Sequence, residues 1–283
     1  MRIPHLALRD IITGVIILTA VGVVVFTIAT MAGSIERNRQ MYDELYERYT
    51  QLYEEAVASA TAELRARGGH VALVSALDLV RDPRWGRTEE CFGEDPYLAA
   101  RFTEALVRGA QGAPGQQIAP DKAAVVLKHF AGQGATVGGR NSAATELGIR
   151  ELHEIHLEAA LAGVRAGAAG VMAAYNEFDG LPCAANRELL TGILREKWGF
   201  TGVVMADGLA LDRLVRLAGD PAAAAATALS AGCDLSLWDA CFPRLAEAVD
   251  RGLVEELDRD VLLSRDRADR RRDAGFGPVI RHR

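Results

Sequence analysis

Gly202-Val203-Val204-Met205-Ala206-Asp207-Gly208 is a short, unbroken apolar run that closes on a carboxylate and a glycine. Such a run, with no polar alternation, fits a strand buried on both faces. The pattern recurs along the chain: HVALVSAL ends before Asp78, AAVVL before Lys128-His129, GVMAAY before Asn176, and CDLSLW spans 233–238. Helical periodicity fills the intervals at 96–111, 148–166, 187–198, 208–231 and 242–253. Continuous apolar strands alternating with helices predict an α/β fold with a parallel sheet, and polar groups gathered at strand C-termini predict a (β/α) TIM-type barrel. A doubly wound sheet would alternate in the same way, but no G-x-G-x-x-G follows any strand. Five strands are legible, where a closed barrel has eight. The expectation is therefore an incomplete barrel, or one with weakly written strands.

Composition narrows the class of function. The 283 residues are 49% hydrophobic and 25% charged, enough for a sizeable core. Lys plus Arg total 32 against 38 Asp plus Glu, a net charge of −6, which argues against nucleic acid as a partner. Four scattered cysteines (Cys91, Cys183, Cys233, Cys241) without a C-x-x-C exclude a disulfide scaffold, a zinc ribbon and a thioredoxin-type motif. His153 and His156 lie three apart, but the text is H-E-I-H rather than H-E-x-x-H, so no metal and no cofactor is expected.

The N-terminal quarter reads differently. Residues 11–31, IITGVIILTAVGVVVFTIATM, carry no charge. Their 21 residues would make roughly 30 Å of helix, the thickness of a bilayer's hydrocarbon core. A cleaved signal peptide competes, with Thr30 and Ala32 at the −3 and −1 positions, but the apolar stretch exceeds the usual length. The sequence thus predicts a single-pass membrane anchor over 1–33 with the following α/β domain on the extracytoplasmic side. A charged amphipathic helix is expected over 34–68, with apolar positions at Met41, Leu45, Tyr49, Leu52 and Val57, closed by Gly68-Gly69. The barrel domain occupies 69–283.

Four local sequences then become specific together. They are Arg81-Asp82-Pro83-Arg84-Trp85-Gly86-Arg87 running into Glu89-Glu90-Cys91-Phe92-Gly93-Glu94-Asp95-Pro96; Lys128-His129-Phe130 leading to Gly139-Arg140-Asn141; Met172-Ala173-Ala174-Tyr175-Asn176 before Asp179-Gly180; and Trp198-Gly199-Phe200 opening the run to Asp207-Gly208. In order and spacing these resemble the N-terminal barrel domain of the family 3 glycoside hydrolases, retaining enzymes of β-glucosidase and β-xylosidase type, over about residues 55–275.

The resemblance implies that Asp207 is the nucleophile, that Lys128 and His129 clamp sugar hydroxyls, and that Arg87, Arg140 and Tyr175 line the same pocket. The substrate it implies is a β-linked oligosaccharide or glycoside. A retaining glycosidase needs a rigidly held carboxylate on the C1 face of the sugar, which a strand end supplies. The alternative for Asp207 is a cap on the helix that follows. Family members commonly carry Trp after the nucleophile as part of the sugar's stacking floor, whereas this chain has Gly208. Arg84 and Trp85 read as structural, and Asp95 before Pro96 reads as an N-cap.

The acid half of the mechanism is not visible. The resemblance implies either a Glu from a following domain or a His in a Lys-His-Phe-Pro-Gly-His-Gly loop. Here that loop reads Lys128-His129-Phe130-Ala131-Gly132-Gln133-Gly134, and Gln133 transfers no proton near neutral pH. Three readings follow: a retaining β-glycosidase that takes its acid from an unassigned carboxylate or another chain, a catalytically inactive sugar-binding barrel held at a membrane, or a truncated fragment whose barrel does not close.

Overall fold

The computed structural model describes residues 5–254, apart from the side chains of residues 5–12, 14–18 and 20. The chain divides into two compact units, Met1–Gln51 and Leu52–Arg283. Helix α1 (His5–Ala66) carries both the apolar run and the charged stretch. It stops at the expected glycines: Gly68 takes the left-handed φ of 85°, and the Gly69 N–H donates to the Leu64 carbonyl at 2.9 Å.

The membrane expectation is corrected. Among the described residues, no helix is long and apolar enough to cross a membrane. The apolar run continues without a break into a helix whose next residues include Glu36, Arg37 and Arg39. The side chains of residues 11, 12, 14–18 and 20 lie outside those described. The expected membrane location and the extracytoplasmic side fall with the anchor.

The second unit is built on a four-stranded parallel sheet of β1 (Val71–Ser75), β2 (Ala124–Phe130), β3 (Gly170–Ala173) and β6 (Val203–Ala206), in that spatial order. Val71 faces Ala124, Val126 faces Gly170, and Gly170 faces Val203. The order never reverses, as it would in a doubly wound sheet. β2 is buried along almost its whole length because helices cover it, as its unbroken apolar text requires.

Helix α2 (Pro96–Gln111) connects β1 to β2. Asp95 caps it by accepting from the backbone N–H groups of Tyr97 and Leu98, and Pro96 opens the first turn. The return to β3 runs through α3 (Ile149–Glu151), a π-type turn (Leu152–His156) and α4 (Glu158–Arg165). Helix α4 can approach β2 only because Gly163 lacks a side chain, since a β-carbon there would stand 2.2 Å from Leu127 Cδ1. A π-type segment (Glu188–Lys197) leads to β6, and the chain continues through α5 (Ala210–Arg213), α6 (Val215–Ala218), α7 (Pro221–Ala231) and α8 (Leu245–Asp250).

Two strand expectations change. The run at 233–238 contributes one isolated bridge, Leu235 to Met205, rather than a strand. The Asp234 carboxylate takes the Val204 N–H at 2.8 Å and pairs with Arg195, so side-chain bonding replaces part of the ladder. An unexpected hairpin, β4 (Glu177–Phe178) and β5 (Leu181–Pro182), turns on Asp179-Gly180, both at positive φ. Asp-Gly is the preferred pair for such a turn. Among the described residues the four-stranded sheet is open rather than a closed barrel.

Gln111, at the end of α2, ties this architecture together. Its Oε1 accepts from the backbone N–H groups of Val125 (2.7 Å) and Ala169 (3.0 Å), and its Nε2 donates to the Gly167 carbonyl (2.8 Å). Gln111→Met keeps the volume but strands two buried donors, each costing about 1–3 kcal/mol. Urea unfolding should show a loss of about 2–4 kcal/mol, the sum discounted for local relaxation.

His156 is buried, and burial first, then Arg81, lowers its pKa to about 4. Its folded pKa lies below the unfolded value near 6.5, so its share of stability is intact above pH 6.5 and is lost as pH falls to about 4. His156→Leu should flatten the stability–pH curve across that window, as measured by melts at stepped pH.

Candidate active site

The sheet is parallel, so its strands end along one edge, and the polar residues that close them meet there. Asp78 follows β1, Lys128 and His129 end β2, Tyr175 follows β3, and Asp207 follows β6. Asp207 is seated by backbone: its N–H donates to the Ala173 carbonyl at 2.9 Å, and its Oδ1 accepts from the Gly208 N–H at 2.7 Å. The cap alternative is not realised, since the first-turn N–H groups of α5, those of Leu211 and Asp212, donate to Asp239 rather than to the Asp207 side chain.

His129 stands at the centre. Asp78 Oδ2 accepts from the His129 backbone N–H at 3.2 Å and lies 2.6 Å from His129 Nδ1, with both side chains almost completely buried. On the other side of the ring, Nε2 lies 3.4 Å from Arg87 Nη2 and 3.6 Å from Asp207 Oδ2. A guanidinium has only donors, so Nε2 accepts from Arg87 and Nδ1 carries the proton shared with Asp78. Nε2 then has no hydrogen to offer Asp207, whose buried Oδ2 has no hydrogen-bond partner.

Arg87 is held in turn by Glu90. Two contacts join them, Nε to Oε1 at 2.7 Å and Nη2 to Oε2 at 2.8 Å. Ser75 donates to Glu90 at 2.7 Å, and Lys128 Nζ stands 3.6 Å away. The hydrogen bonds from Arg87, with help from Ser75 and Lys128, hold the Glu90 carboxyl near pKa 2, against the effect of partial burial. Pairing with Glu90 raises the Arg87 pKa further.

Tyr175 closes the group. Its hydroxyl accepts from Arg87 Nη1 at 3.3 Å and from Asn141 Nδ2, and the Arg213 guanidinium lies 4.7 Å from its ring centroid. Asn141 Oδ1 also accepts from Trp85 Nε1 at 3.1 Å and Gln133 Nε2 at 3.3 Å. Trp85 is buried and structural, as expected, while Arg84 is exposed and pairs with Asp82.

Of the residues singled out from sequence, Arg87, Lys128, His129, Tyr175 and Asp207 thus come together. Arg140 stays on the exposed side of its loop, and no hydrogen bond or ion pair among the described residues ties it to the others. Lys128 and His129 both join the Arg87–Glu90 pair because the β2–β3 register shifts between Leu127 and Phe130, which breaks the strict alternation of side chains. Asp78, Glu90 and Asn141 are new members. Asp78 carried a signal, since it closes an apolar strand as Asp207 does. Among the described residues no group of His, Cys, Asp and Glu could hold a metal.

A parallel α/β sheet thus gathers carboxylates, an imidazole and cations at its strand ends. The chain belongs to the glycosyl hydrolase family 3 N-terminal domain family, which matches residues 2–264. It is 37% identical to the periplasmic beta-glucosidase of Salmonella typhimurium over 167 residues, 58% of this chain and 21% of that protein. It is 36% identical to a beta-xylosidase of Formosa agariphila over 187 residues, 64% of this chain and 26% of that protein. The crystal structure of a beta-glucosidase from Listeria innocua superposes with a TM-score of 0.76 at 33% identity, covering 79% of this chain and 31% of that one. The chain therefore spans about a quarter of the length of the curated relatives it matches.

Asp78→Asn should test the support of the imidazole. It weakens a charge-assisted hydrogen bond worth about 1.5–3 kcal/mol. Thermal unfolding should register that loss, while Asp82→Asn on the exposed neighbouring turn should change stability far less.

Proposed function

We propose that this chain carries the nucleophile half of a retaining β-glycosidase of glucosidase or xylosidase type. Asp207 is the nucleophile, and Arg87, Lys128 and Tyr175 bind the sugar. His129, whose two ring nitrogens are engaged by Asp78 and Arg87, positions that group rather than clamping a hydroxyl as expected. The observation that supports this best is Asp207 Oδ2, an unpaired carboxylate oxygen on a strand end. Its lone pairs are free to form a bond to C1 while the C1–oxygen bond to the leaving group breaks. Lys128 donates to sugar hydroxyls, and Tyr175 both donates and accepts. The four-stranded sheet is proposed as an arc of a (β/α) barrel, in keeping with its sequential strand order.

The leaving-group oxygen still needs a proton. Glu90 does not supply it, because Arg87 keeps its carboxyl ionised far below neutral pH. Gln133 is fully buried, and its amide donates to Asn141. General acid catalysis is worth about 10²–10⁴-fold, and it matters most for poor leaving groups. A nitrophenolate departs unprotonated, whereas a sugar alkoxide does not.

The full chain should therefore release a burst of nitrophenol from a 4-nitrophenyl β-glucoside or β-xyloside. A glycosyl adduct on Asp207 should be visible by intact-protein mass spectrometry, and cellobiose should be hardly cleaved. Asp207→Asn should lose both burst and adduct while melting like the wild type. A fully active Asn variant would assign the nucleophile elsewhere. Cellobiose cleaved as readily as the aryl glycoside would reveal an acid outside the described cluster.

A further inference from the structure

Trp238 is 81% exposed, the most exposed of the large hydrophobic side chains described. Its surroundings are built rather than loose. The chain at 235–238 runs beside the end of β6, with the Ala206 N–H donating to the Leu235 carbonyl at 2.7 Å and the Leu209 N–H to the Leu237 carbonyl at 3.3 Å. Two carboxylates then clasp the segment from opposite sides. Asp239 Oδ1 accepts from the backbone N–H groups of Leu211 (2.9 Å) and Asp212 (3.1 Å), and its Oδ2 from that of Leu237 (3.2 Å). Asp212 accepts from those of Ala240 (2.9 Å) and Cys241 (2.8 Å).

Between these anchors Trp238 is held at φ 66°, a left-handed conformation that a bulky residue rarely adopts. Strain of this kind persists only where the surroundings over-determine it, and it clusters at ligand sites. The indole lies against Gly208, the residue after Asp207. Its Cε3 and Cζ3 are 3.4 and 3.6 Å from the point a β-carbon on Gly208 would occupy. The missing side chain at 208 therefore leaves room for a large flat apolar surface against the residue that directly follows Asp207. All the other groups described at that cluster offer charge or hydrogen bonds.

We propose that Trp238 is the stacking platform for the apolar C–H face of the pyranose ring seated at Asp207, and so a positioning residue for the reaction. This rests on the glycosidase reading. A pyranose presents hydroxyls at its rim and a C–H face to one side. The hydroxyls match Lys128, Arg87 and Tyr175, and the C–H face matches an exposed indole, which covers much area at low cost in side-chain freedom. Stacking fixes the ring plane, which hydrogen bonds at the rim leave free to tilt. It acts on C1 only through that orientation.

The test uses the full chain with glucose, xylose and the 4-nitrophenyl β-glycosides as probes. Saturating sugar should protect wild-type tryptophan emission from iodide quenching, because of the three tryptophans Trp85 is buried, Trp198 is partly buried against Phe130 and Trp238 is the exposed indole. Trp238→Ala should abolish that protection and raise the Kd for sugar and the KM for the aryl glycoside about fivefold or more, in the range expected for losing one aromatic stack. Trp238→Tyr should recover most of the affinity, which a purely structural role would not predict. Unchanged Kd and KM in Trp238→Ala, with iodide still reaching Trp238 in the sugar-bound wild type, would overturn the platform. In that case nitrophenol release that depends on Asp207 would still uphold the glycosidase reading. No sugar binding together with no nitrophenol release would overturn both.

Discussion

The contact between Asp78 and His129 sets the donor pattern of the whole cluster. One carboxylate oxygen takes both the backbone and the ring N–H of His129, so the imidazole has one orientation and one tautomer. With the proton on Nδ1, Nε2 accepts from Arg87, and the facing oxygen of Asp207 is left without a donor. An unpaired carboxylate oxygen in a buried setting is costly to a fold. It persists here because Asp207 is pinned through its backbone and its other oxygen.

The cations of the site are held in the same connected way. Glu90 receives Arg87, Ser75 and the nearby charge of Lys128, so one ionised carboxylate holds two cations in place without consuming all their donors. Arg87 reaches both His129 and Tyr175 from that anchor, and Tyr175 is braced again by Asn141 and Arg213. Pairs this exposed add little to stability. Their effect is to hold donors in fixed positions around Asp207, which is the kind of preorganisation that binding and catalysis require.

The fold places these groups with few adjustments. Parallel strands bring their C-terminal ends to one edge, and the small residues Gly163 and Gly170 let a helix and a neighbouring strand approach β2 closely. Gln111 bonds the end of α2 to backbone at the starts of β2 and β3, setting where those strands begin. The β2 irregularity then puts Lys128 and His129 on the same set of partners.

The strands at 71–75, 124–130, 170–173 and 203–206, helix α2 and its Asp95 cap were legible in sequence, because apolar runs, helical periods and capping residues are local signals. The grouping of Arg87, Lys128, His129, Arg140, Tyr175 and Asp207 was an expectation that the family resemblance implied, and in the structure Arg140 stays apart from the other five. Apolar length alone misled at 11–31, where the run forms part of one 62-residue helix that continues into charged text. At 233–238 the ladder to β6 is reduced to one bridge, and the Asp234 carboxylate takes the Val204 N–H that a longer ladder would engage. Tertiary structure alone decided the partners: Asp78 to His129, Asn141 to Tyr175, and Trp238 to Gly208. Those pairings join residues 30 to 51 positions apart, and a hydrogen bond or ring contact across such distances depends on how strands and loops are set against one another, which no local pattern encodes.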